Sequence, residues 1–75
     1  MNANTKSLSI TLKAVRNGKT VEVRHHGQTA FIRPDSGLAV VSDKRDSGGI
    51  ICIDLNDDYE DAASWLADNG VKARY

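Results

Sequence analysis

The chain has 75 residues, 40% of them hydrophobic and 27% charged, with ten basic and ten acidic side chains and no formal net charge. That length fits one small domain over 1–75 with a marginal core and little room for a pocket that engulfs a substrate, which argues against an enzyme. A single cysteine excludes an internal disulfide, no apolar run is long enough to span a bilayer, and the polar start MNANTKS lacks the apolar segment of a secretory leader, so a cytoplasmic protein is expected.

In chain order, SLSITLKA alternates Leu8, Ile10, Leu12 and Ala14 against Ser9, Thr11 and Lys13. This predicts a half-buried strand over about 8–16. Asn17-Gly18 follows as a hairpin signal, because a type I′ turn takes positive φ at both central positions. TVEVRH predicts a second strand over about 19–26, a turn at Gly27 a third over about 28–33, with Pro34 ending it by removing a ladder donor. PDSG is the next turn, LAVVS a fourth strand over 38–42, and DKRDSGG a polar loop. IICIDL reads as a fifth strand over about 49–55, apolar on both faces and so central or covered. Then the period changes. DDYEDAASWLADNG predicts a helix over about 58–69, with Asp57 as N-cap, Glu60 closing a capping box, and Gly70 as the left-handed terminator. Residues 71–75 form a short sixth strand or a tail. The fold class is α+β, an antiparallel five-stranded β-meander, curled, with one C-terminal helix packed on it.

Charge is polarised along the chain. Residues 1–33 carry six bases (Lys6, Lys13, Arg16, Lys19, Arg24, Arg33) against Glu22, and residues 34–75 carry four bases against nine acids. Either half can meet a charged partner, or the halves can neutralise each other in the fold.

DLNDDYED, residues 54–61, holds five of the ten acids. As a calcium loop it places Asp54, Asn56 and Asp58 at the first three ligand positions. It then fails, with Tyr59 where the sharp turn needs glycine and Trp65 where the bidentate Glu belongs. As a helix start the run accounts for Asp57, Asp58 and Glu60, which favour the unpaired N–H groups there. It does not account for Asp54, nor for Asp61 and Asp68 on the outward side of the helix. Trp65 lies roughly 100–120° from the centre of the apolar stripe. Its ring either folds over the sheet edge as core or stands beside the acids as an exposed anchor.

His25 and His26, adjacent on a strand, point to opposite faces and do not share a metal easily. Cys52 reads as a small buried hydrophobe. No nucleophile elbow or phosphate loop is present. No metal and no cofactor is implied. Lys13, Lys19, Arg24 and Arg33 project from the first three strands and offer an alternative basic face for nucleic acid. Phe31 is the single aromatic among them, a poor supply of stacking rings.

In size and build, with short capped strands over 8–55 and the acidic helix DDYEDAASWLAD, the chain resembles the small inhibitors of phages and mobile elements, the anti-CRISPR proteins among them. The resemblance implies an acidic face that occupies a Lys/Arg-lined nucleic-acid channel on a partner complex, such as a CRISPR effector. The leading expectation is a protein-binding inhibitor whose contact face comprises Asp54, Asp57, Asp58, Glu60, Asp61, Trp65 and Asp68. The alternatives are a nucleic-acid-binding or regulatory module and a structural or oligomerisation subunit, with homodimerisation as a further option for so small a core.

Overall fold

A computed structural model describes residues 2–42 and 51–74. The chain runs α1 (Ala3–Arg16), β1 (Val21–His25), β2 (Gln28–Asp35), β3 (Leu38–Ser42), β4 (Ile51–Asp54), α2 (Tyr59–Asp68) and β5 (Val71–Ala73). The five strands form one antiparallel sheet in the order β4-β3-β2-β1-β5. The fold is α+β, with two helices rather than one.

The main correction concerns SLSITLKA, which is helical. Its apolar residues satisfy two periods. Leu8, Ile10 and Leu12 alternate as in a strand, but Leu8, Leu12 and Val15 also recur at helical spacing, and these three are the ones buried. Both ends are capped. The Asn2 side chain accepts the N–H of Thr5 at 2.8 Å, and Lys13 and Arg16 sit in the last turn, where cations oppose the negative helix end. Asn17-Gly18 is therefore a helix stop, not a hairpin. Gly18, at φ +95°, donates its N–H to the Val15 carbonyl and Lys19 donates to Ala14, the paired bonds of a Schellman motif.

The two real hairpin turns are His26-Gly27 and Ser36-Gly37, each with positive φ at both positions, as type I′ requires. Pro34 does not end its strand. It pairs with Ala39 in β2, beyond the last residue of β2 that β1 covers. The Asp35–Leu38 pair flanks the two-residue turn and exchanges hydrogen bonds. The Pro34–Ala39 pair is then of the open kind, and the position of the missing N–H faces away from β3, past the last pair that β1 makes.

One sheet face carries the core. Val23, Ala30, Ile32, Ala39, Val41, Ile51, Ile53 and Val71 meet Leu8, Leu12 and Val15 of α1 and Ala62, Ala63 and Leu66 of α2 in one cluster. The opposite face bears no helix among the described residues. It shows Glu22, Arg24, Thr29, Phe31, Arg33, Val40, Cys52, Asp54 and Lys72 by strand alternation.

The fifth predicted strand is also revised. β4 is an edge strand buried on one face only, with Ile51 and Ile53 inward and Cys52 and Asp54 outward. Cys52 is exposed, not buried. Residues 71–73 are a true strand. The loop predicted from DKRDSGG and the first residues of the predicted fifth strand lie outside the described residues. No described helix is long and apolar enough to cross a membrane.

The two sheet edges differ. On β5, His26 N–H bonds to the Gly70 carbonyl, so the backbone groups of Val71 and Ala73 face away from β1. The side-chain amide of Asn4, on α1, takes one group from each. Its Oδ1 accepts the Ala73 N–H at 2.8 Å, and its Nδ2 donates to the Val71 carbonyl at 3.3 Å. One asparagine thus stands in for a sixth strand and closes that edge. β4 has no such cover among the described residues.

Candidate functional site

Four of the acids in DLNDDYED converge between β4 and α2. Asp54 ends β4, and its Oδ1 accepts the N–H of Asn56 at 2.8 Å while its carbonyl accepts the N–H of Asp57 at 3.1 Å. This tight turn brings the chain back to the helix start. Asp58, not Asp57, is the N-cap, accepting the N–H of Glu60 at 2.8 Å and of Asp61 at 3.3 Å. The cap moves by one residue because Asp58 keeps an extended backbone and its carboxylate reaches both orphan donors.

From that start α2 presents Asp61 and Trp65 one turn apart on one side. A cleft of about 470 Å³ is lined by Asp54, Asp57, Asp58 and Asp61, with Trp65 on the rim and Cys52, Ile53 and Ala62 as floor. Trp65 is 48% exposed, which settles it as a surface ring and not as core. Asp68 continues the same helix side one turn past Trp65, and Glu60 faces elsewhere on α2. Neither lines the cleft.

None of the four carboxylates has a cationic partner among the described residues. The ion pair there is Arg74 with Glu22, on β1 and the chain end. The cation nearest in role is Arg16. Its guanidinium donates to the Tyr59 hydroxyl at 3.1 Å and to the Leu55 carbonyl at 3.4 Å, tying the end of α1 to the start of α2. The hydrogen bond to Tyr59 raises its pKa further above an already high value, so it stays charged. The cleft is therefore a concentrated negative surface with an apolar floor.

Ile53 and Ala62 carry no site signal in the sequence, and Cys52, expected as a buried hydrophobe, lines the cleft instead. The signal for its outward placement was available in ICID, where a two-residue period separates Ile51 and Ile53 from Cys52 and Asp54. The adjoining Ile50 hid it by making the run look apolar throughout.

The basic candidates are not gathered as the sequence reading had them. Lys13 lies on α1, Lys19 lies in the connection to β1, and only Arg24 and Arg33 lie on the helix-free sheet face. Arg33 donates to the Ser42 hydroxyl at 3.1 Å. Arg24 stands directly opposite Lys72. The two histidines do not point apart. His26 occupies a left-handed turn position, which turns its ring beside that of His25, centroids 4.2 Å apart. A second, apolar groove of about 320 Å³ runs between α1 and the sheet, bordered by Ile10, Ala14, Val21 and Ala73.

Comparison with known proteins finds no matching family model, curated sequence or solved structure.

Proposed function

We propose that the chain is a non-catalytic protein-binding module, an inhibitor of the phage-encoded, anti-CRISPR type, that lays its acidic α2 side into a basic nucleic-acid-binding surface of a partner complex. The observation that carries this reading is the cleft, which four carboxylates without cationic partners among the described residues share with one exposed Trp. A cationic partner gains from such a cluster twice. It is steered in by the summed field, and it neutralises charges that repel one another in the free protein. Trp65 supplies the flat apolar anchor that typifies interface hot spots, and its face also accepts an Arg guanidinium.

The test is capture of partners from a host lysate with the wild-type chain and with an Asp58→Asn/Asp61→Lys variant, which keeps a cap on α2. Proteins held by the wild type should be lost by the variant, should elute as salt rises, and should be displaced by added nucleic acid. Equal capture by both chains, or no competition from nucleic acid, overturns the reading.

One observation favours a second reading, a nucleic-acid-binding module. Arg24 and Lys72 are directly opposite and both exposed. Like charges in that arrangement are mutually unfavourable, and a bound phosphate would relieve them. Arg33 and Phe31 share that face. On this reading Arg24→Ala lowers affinity for mixed-sequence RNA or DNA and flattens its salt dependence. No binding at low salt removes it.

A further inference from the structure

We propose that the open β4 edge is where the partner engages, by adding an extended, Arg/Lys-rich segment as a sixth strand beside Ile51–Asp54, under the acidic overhang of α2. This rests on the acidic-face reading above and gives it a binding mode. The register places the free groups. Leu55 donates to the Gly37 carbonyl, so the hydrogen-bonded pairs between β3 and β4 include Ala39–Ile53 and exclude Val40–Cys52 and Leu38–Asp54. The N–H and C=O of Cys52 and the N–H of Asp54 therefore point away from β3, toward the cleft, and have no partner among the described residues.

An exposed edge of this kind is a ready template for another strand, and small proteins usually block it. This chain blocks the other edge at its centre, where Asn4 takes the outward Val71 carbonyl and Ala73 N–H. The contrast argues that β4 is left open for use. The occupant follows from charge. An incoming strand passes Asp54 on the outer side and Asp58 and Asp61 on the helix side, with Ile53 and Ala62 beneath and Trp65 alongside. Basic residues interleaved with β-branched ones satisfy all of these at once. A second copy of the chain would bring its own four carboxylates against these, so self-pairing is disfavoured.

The test uses a blocked peptide alternating Arg and Val, measured by fluorescence anisotropy and by amide hydrogen exchange of the wild-type protein. Binding should slow exchange at the amides of Cys52 and Asp54. Cys52→Ser, which keeps the outward N–H, is the side-chain reference against which the next variant is read. Cys52→Pro, which deletes the outward N–H and leaves the β3 ladder whole, should weaken binding by about tenfold, the value of one hydrogen bond. Pro34 already occupies such an open-pair position in β2, so the substitution is one this sheet tolerates. Failure of the peptide to bind, unchanged exchange at both amides, or equal affinity of the Pro and Ser variants overturns strand addition. The acidic-face reading fails separately, if Asp58→Asn/Asp61→Lys binds the peptide as tightly as wild type.

Discussion

At Gly70 one backbone position carries three duties. It ends α2 at φ +86°, its carbonyl receives the His26 N–H that starts the β1–β5 ladder, and its missing side chain makes room for the His26 ring. A Cβ built there would stand 2.3 Å from His26 Cε1. Gly70→Ala is thus penalised by the left-handed backbone and by displacement of the imidazole. The expected loss is about 2 kcal/mol in urea unfolding, falling to about 1 kcal/mol in a His26→Gly background, where only the backbone cost remains. Asn4 is the other residue whose type matters more than its position. Asn4→Asp keeps the acceptor for Ala73 N–H and deletes the donor to the Val71 carbonyl. Asn4→Ala deletes both. Amide exchange at Ala73 should therefore stay slow in the Asp variant and accelerate in the Ala variant. Equal rates in the two would mean that the asparagine does not hold that edge.

At the level of elements, α1 is the instructive case. A strand over 8–16 would bury Ile10 with Leu8 and Leu12, whereas the helix leaves Ile10 59% exposed and buries Leu8, Leu12 and Val15. Leu12→Ala should then cost about 2–5 kcal/mol, while Ile10→Ala costs less than about 0.5 kcal/mol. Comparable losses at the two sites would restore the strand. β1, β3 and α2 were legible because turn residues and local period agree there, whereas in β2 Pro34 and in β4 the adjoining Ile50 misled. In 8–16 the period is ambiguous, and the two competing marks, an N-cap at Asn2 and a Schellman stop at Gly18, look the same in sequence as a polar leader and a hairpin turn. Only contact with the sheet decides. The candidate site was legible in part for a related reason. Helical spacing places Asp58, Asp61, Trp65 and Asp68 on one side. Which of them border a cleft depends on where the Asp54 turn sets β4 against α2, and that is a tertiary fact. Asp58→Ala should cost about 1 kcal/mol through loss of the cap alone, so binding studies at this residue need Asp58→Asn, which still caps, as the control for charge.

For the molecule as a whole, the charge of the two chain halves is distributed unevenly over the described sheet. The acidic cleft sits at the β4 end of the sheet. Arg24 and Lys72 sit toward the β5 end. Affinity for a cationic partner should fall steeply between low and physiological salt, measured as a drop in association rate more than a rise in dissociation rate. An association rate that ignores salt would count against electrostatic steering. The Asn4 plug has a further consequence, one of stoichiometry. A sheet with two sticky edges can grow without limit, copy upon copy, into a fibre. With one edge sealed, any pairing of copies has only β4 to use, and it must close about a two-fold axis after a single addition. When salt screens the carboxylates, or when Asn replaces Asp at 58 and 61, edge pairing of copies is expected to stop at a dimer, a mass that light scattering would read.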